Sequence, residues 1–321
     1  MMLRFRSAGD GICWSIIKKM RQTINKQTYT WVDIADPKDE DIQFLNDNFN
    51  IHPLTAAAIM PAFHYPDLDV FKDYLFIILH YPHASDNGEI KIREFDLIAG
   101  KNHLVTLHRE DIKPIGQVFQ NWQTADKKNI DPAPDASAAL FGILNTFLKE
   151  VLAKVNGLAQ EIDQMEARIF TGQQQELIRD ISTLKMKIID FWRIVEPQRM
   201  IFDSLRTAGA NFFGAEHRHY FAILYQTHRR IENTLKNAKE TIEALEETNH
   251  ILVTVRMNEI IKVLTLMSVI FMPLTLLASV WGMNTNFLPF KHTEADFFYI
   301  LLIMAATLAA MMVFFRHKKW L

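Results

Sequence analysis

Two stretches of this chain carry no charged residue over 19 positions each, 263–281 and 297–315. As helices rising about 1.5 Å per residue, each would cover close to the ~30 Å hydrocarbon core of a bilayer. Charged residues bound both: Glu259 and Lys262 before the first, Glu294 and Asp296 before the second, Arg316 after it. The competing reading is a pair of helices buried in a soluble core. Such helices rarely stay uncharged on every face for about five turns, and here two do so in succession.

The whole-chain averages hide this segregation. Among 321 residues, 35 Lys and Arg face 37 Asp and Glu, for a formal net charge of −2. The mean hydropathy is −0.02. These values exclude a disordered chain, which would pair low hydrophobicity with high net charge. They give no electrostatic reason to bind nucleic acid. Cys13, the single cysteine, permits neither an internal disulfide nor a Cys-rich zinc site. The apolar run 11–17 is too short for the core of a secretion signal.

Orientation follows from Lys and Arg. Arg316, Lys318 and Lys319 follow the second stretch, and Arg256 and Lys262 precede the first. The segment between carries Lys291 alone, beside Glu294 and Asp296. The positive-inside rule therefore places both termini in the cytoplasm and a short loop outside. Trp281, Phe287 and Phe290 fall at the expected outer interface, and Phe314, Phe315 and Trp320 at the inner one.

Three parts are expected: an N-terminal α/β domain (1–134), long cytoplasmic helices resembling a coiled-coil stalk (135–258), and a membrane part (259–321). The membrane part has spans at about 259–281 and 297–315, joined by an outer loop, 282–296. In the first part, residues 29–34 (YTWVDI), 74–80, 90–97 and 103–108 read as strands, with a turn at 99–102. Asp36 reads as a helix N-cap, with Pro37 as the first helical residue and the helix over 38–48. In the second part, Val155, Leu158, Ile162, Met165 and Ile169 step by three and four, as in a coiled-coil seam. Pro197 should interrupt the second of two long antiparallel helices spanning about 136–196. From Arg218 to Met272 there is neither Gly nor Pro, so one helix should run from the cytoplasmic part into the first span.

One face of that helix is polar. Asn258, Ile261, Thr265, Ser268, Met272, Thr275, Ser279 and Gly282 step by three and four, and six of the eight are polar or small. Lipid would reject such a stripe. It suits either a small-residue helix contact or the wall of a water-filled pore, and the pattern alone leaves both open. Two spans cannot enclose a pore, so the second reading requires a ring of copies.

Immediately after this helix stands Trp281-Gly282-Met283-Asn284. Before it come Met257-Asn258-Glu259, Lys262-Val263-Leu264-Thr265 and Phe271-Met272-Pro273-Leu274-Thr275, and Arg316-His317-Lys318-Lys319-Trp320-Leu321 follows the second stretch. In this order the set resembles the CorA family of magnesium and cobalt ion transporters. The resemblance extends weakly to Trp31-Val32-Asp33, His52-Pro53-Leu54-Thr55, 71–80 and 100–108.

The resemblance implies a funnel-shaped homopentamer of α+β fold: an αβα-layered cytoplasmic domain, long helices and two C-terminal transmembrane helices in a cell (inner) membrane. It implies a channel rather than an enzyme, importing Mg²⁺, with Co²⁺ and Ni²⁺ as further ions, and using no cofactor. Gly282, Met283 and Asn284 would form the selectivity filter, with Asn284 holding hydrated Mg²⁺. Asn258, Ile261, Leu264, Thr265, Ser268, Met272, Thr275 and Ser279 would line or gate the pore. Alternatives are a zinc or other transition-metal transporter on the same scaffold, and a non-conducting membrane-anchored scaffold.

Two departures from the family pattern stand out. The loop after Pro289 lacks the usual acidic residue, for which Glu294 and Asp296 can substitute. The helix segment 220–230 (YFAILYQTHRR) has no acid, where family members place acids that bind regulatory Mg²⁺. Glu216, Asp203, Glu232 and Glu240 remain as unspecific candidates. Glu216-His217-Arg218-His219 reads as a solvated helix start before it reads as a metal site, and His64 with Asp67 and Asp69 as a polar loop. Glu240, Glu243, Glu246 and Glu247 read equally as an acidic vestibule or a solvated helix face.

Overall fold

The computed structural model describes residues 21–60, 63–85, 89–127, 133–170, 174–283, 296–318 and 320. Two compact units divide it, residues 1–246 and 247–321.

In the first unit six strands form one mixed sheet in the order β1-β2-β6-β5-β4-β3. They are β1 (Arg21–Asn25), β2 (Thr30–Ala35), β3 (Asp67–Val70), β4 (Tyr74–Ala84), β5 (Ile90–Gly100) and β6 (His103–His108). β2 and β6 pair in parallel and every other neighbour is antiparallel. The turn between β5 and β6 is tight enough to require glycine: a Cβ on Gly100 would collide with the His103 imidazole.

Side chains alternate between two covering layers, as the strand period of two demands. Val32, Ile34, Phe76, Ile78, Ile98, Val105 and Leu107 pack with Leu45, Ile51 and Ile59 of the α1–α2 region. The helices on that side are α1 (Asp39–Phe49) and α2 (Pro53–Ile59). On the other side, Trp31 meets Phe119 edge-on at 4.9 Å and Trp122 at 5.1 Å, and Phe95 meets Phe147 at 5.2 Å. These partners belong to α3 (Lys113–Lys127) and α4 (Ala136–Arg168). Helices thus cover both faces of the sheet.

The start of α1 differs from the sequence expectation. Asp36 adopts a left-handed conformation (φ 54°), and Lys38 takes the N-cap position. The Asp41 carboxylate accepts the Lys38 backbone N–H at 3.1 Å, so the third helical residue supplies the capping oxygen.

α4 and α5 (Gln174–Val195) follow the expected helical pattern. Val155, Leu158, Ile162 and Ile169 are buried, and Met165 is half-buried. α5 stops at Val195, and Pro197 sits in the single 3₁₀ turn Glu196–Gln198 before α6 (Arg199–Phe213). Gly214 ends α6 at φ 120°, a setting strained for any other residue. From there α7 runs unbroken over Arg218–Trp281, 64 residues and therefore about 96 Å. Pro273 lies inside it and removes one backbone donor.

In the second unit α7 continues and α8 covers Asp296–His317. Among the described residues, three helices are long and apolar enough to cross a membrane: α4, the stretch ending in α7, and α8. Burial separates them. The most apolar part of α4 is 56% buried within the protein, against 6% for α7 and 0% for α8. α4 spends its apolar surface on the core of the first unit, whereas the other two expose theirs.

Candidate functional site: the polar stripe of α7

From residue 254 onward, the α7 residues withdrawn from the surface are Leu266, Ile270, Pro273, Leu274, Leu277 and Trp281. On α8 they are Ile300, Ile303, Met304, Thr307, Met311 and Phe315. Both rows step by three or four, the signature of one helical face. Each row is the less exposed face of its helix.

The polar stripe lies elsewhere. At 3.6 residues per turn, Asn258, Ile261, Thr265, Ser268, Met272, Thr275 and Ser279 fall about half a turn from the Leu266–Leu277 row. All seven are exposed, with Met272 74% and Ile261 52% accessible. Leu264, at 67%, stands on the flank of the stripe. Gly282 and Met283 are exposed where the helix ends, and the Gly282 N–H donates to the Ala278 carbonyl at 2.9 Å. Asn284 and the loop 284–295, with Glu294, lie outside the described residues, as does Cys13.

The stripe hydroxyls are oriented by the helix itself. Thr265, Ser268 and Thr275 each donate to the carbonyl four residues back, at 2.8, 3.0 and 2.8 Å. A hydroxyl has one proton and two lone pairs. With the proton committed to the backbone, each oxygen presents acceptors to whatever faces the stripe. Such a surface suits cations and water.

Five of the acids considered as cation ligands, Glu232, Asp203, Glu240, Glu246 and Glu216, lie close to a basic or imidazole group. Glu232 is buried, 2.9 Å from Arg229 and 3.5 Å from Arg199. Asp203 lies 3.2 Å from Arg206, Glu240 4.0 Å from Lys236, and Glu246 2.6 Å from Lys185. Glu216 is 3.8 Å from His217. His64 lies 3.4 Å from Glu94, and Asp67 and Asp69 belong to strand β3, so the segment read as a polar loop is partly a strand. Among the described residues no group of three or more His, Cys, Asp or Glu side chains is placed to hold a metal.

Sequence reasoning missed the partly buried row of α7, because Leu, Ile and Phe surround the stripe on both sides. Pro273 and Trp281 were the available signal, since both sit half a turn from the polar residues.

Comparison with known proteins sets this architecture in a family. The model of the CorA-like Mg²⁺ transporter family matches residues 26–318. The cobalt/magnesium transport protein CorA of Thermotoga maritima is 25% identical over 301 residues, covering 92% of this chain and 85% of the relative. The complete structure of the CorA magnesium transporter from Methanocaldococcus jannaschii superposes with a TM-score of 0.78 at 22% identity, covering 92% of each chain. The full-length structure of CmaX, which is a divalent cation transporter in Pseudomonas aeruginosa, gives 0.72 at 18% identity, over 91% of this chain and 89% of that one. An α/β domain, long helices and a C-terminal apolar helix are common to this fold, and the chain belongs to the CorA-like Mg²⁺ transporter family.

Proposed function

We propose that this protein is a homopentameric channel that admits Mg²⁺, and to a lesser degree Co²⁺ and Ni²⁺, into the cytoplasm through a pore lined by the α7 stripe. One observation carries the reading: the stripe residues of α7 are exposed, about half a turn from the partly buried row that includes Leu266, Ile270, Pro273 and Leu277. A row of Asn, Thr and Ser left bare in lipid would be costly, so copies of α7 must turn these rows toward one another. Arranged in a ring, they enclose an acceptor-lined path.

The chemistry of Mg²⁺ fits such a path. The ion sheds water reluctantly and is held best through its hydration shell. Neutral oxygens from Asn284, Thr275, Ser268, Thr265 and Asn258 would bind it weakly enough for release. Ile261, Leu264 and Met272 alternate with them as apolar constrictions that close by dewetting. An inside-negative potential contributes about 4.6 kcal/mol per 100 mV to a divalent cation, so no nucleotide need be hydrolysed. The basic residues flanking the two spans support a cytoplasmic placement of both termini, and the inside-negative potential drives net entry inward.

Flux of Mg²⁺, Co²⁺, Ni²⁺ and Zn²⁺ into liposomes containing the purified protein tests this reading. Mg²⁺ uptake is expected. Uptake of Zn²⁺ alone would assign a transition-metal transporter, and absence of any flux would assign a membrane-anchored scaffold.

A further inference from the structure

A cavity of about 430 Å³ opens between α3, α4 and the first turn of α7, all within the first unit. Its size lies in the range of small-molecule sites. Its walls combine the rings of Trp122, Phe141 and Tyr220 with the carboxamides of Gln117, Asn121 and Asn145. The only ionisable side chain among its lining residues is the Tyr220 phenol.

The aromatic part is held rigidly. Trp122 is 9% exposed and rests edge-on against the fully buried Trp31. Phe141 and Tyr220 stack at 4.7 Å with their planes 19° apart. Gly142 keeps the floor open, because a Cβ there would already lie 3.0 Å from the Trp122 ring. Among the described residues, none of the three carboxamides is hydrogen-bonded to the protein. Each therefore has a donor and an acceptor to offer to a ligand.

We infer that this cavity binds an adenine ring. A flat, uncharged heteroaromatic satisfies the rigid rings by stacking, a contact worth about 1–3 kcal/mol per base. A carboxamide matches the adenine edge with two hydrogen bonds, donating to a ring nitrogen and accepting from the exocyclic amine. Among the described lining residues no charged side chain is present to pair with an ionic headgroup. Because Tyr220 belongs to the first turn of α7, the ligand would rest against the start of the helix that carries the polar stripe. The inference does not depend on which ion is carried.

Equilibrium dialysis of the full-length protein in detergent, with labelled adenosine and uridine as probes, tests it. Saturable binding of adenosine near one per chain is expected, with uridine at least about tenfold weaker. Gly142→Val and Asn145→Leu should each weaken adenosine binding about tenfold or more while the melting temperature holds. If Gly142→Val fails to fold, Asn121→Leu on the exposed rim carries the same expectation. No saturable binding up to millimolar adenosine, equal binding of uridine, or wild-type binding in the folded variants would each overturn the assignment.

Discussion

The Nε2 of His228 on α7 lies 3.1 Å from the carbonyl oxygen of Val195, the last residue of α5. The imidazole, nearly fully buried and stacked on Phe202 at 4.7 Å, ties α7 to the carbonyl at the end of α5. As a neutral ring it donates from Nε2.

Burial, with further repulsion from Arg229 and Arg199, outweighs that hydrogen bond and lowers the His228 pKa from 6.5 to about 4. The folded state thus refuses a proton that the unfolded chain accepts. Between pH 6.5 and about 4 unfolding takes up protons, so stability falls as pH falls through that window. The loss reaches roughly 3 kcal/mol at its lower edge, at 1.36 kcal/mol per pKa unit. Melting temperatures at pH 7, 5.5 and 4 should show the decline, and His228→Gln should flatten it. A parallel decline in wild type and variant would assign the sensitivity to other groups.

A buried polar chain crosses the parallel β2–β6 pair. The Trp31 indole donates to Thr106 at 3.1 Å, Thr106 donates to Asp33 at 2.6 Å, and His108 lies 3.3 Å from the same Asp33 oxygen. Thr106→Val keeps the shape but strands the indole N–H and removes a donor from Asp33. Urea unfolding should show a loss of about 2–4 kcal/mol, because buried groups without partners carry their full desolvation cost. A change below about 0.5 kcal/mol would mean that the chain relaxes around the lost hydroxyl.

The stripe and its flanks should differ in their effect on flux. Thr275→Val removes one acceptor per subunit from the proposed path at nearly constant volume. About 1 kcal/mol of lost interaction with the passing ion corresponds to a fall of roughly fivefold in Mg²⁺ uptake. Val269→Leu, off both the stripe and the partly buried row, should leave uptake within about twofold. Equal effects at the two positions would remove the distinction on which the pore assignment rests.

Much of this architecture is written in local pattern. The strand 103–108 and the Gly- and Pro-free stretch after Arg218 predict β6 and α7, because alternation and helix-breaker absence are properties of neighbours in sequence. The features that escaped depend on distant partners. Asp36 looks like a cap, yet the capping oxygen comes from Asp41. β4 extends to Ala84 through Pro82, because its pairing with β5 continues beyond the apolar run. Glu232 looks like a solvated helix acid until Arg199 is brought beside it. For the stripe, sequence shows which residues share a face, whereas which face is left exposed is read from the burial of each residue.

Mg²⁺ uptake into proteoliposomes under an imposed inside-negative potential, compared for wild type and Asn284→Ala, tests the central claim most directly. Wild type should take up Mg²⁺ at a rate that rises with the potential, and Asn284→Ala should lose the uptake or its preference for Mg²⁺. Absence of Mg²⁺ uptake by the wild type, or wild-type uptake and selectivity in the variant, would contradict it.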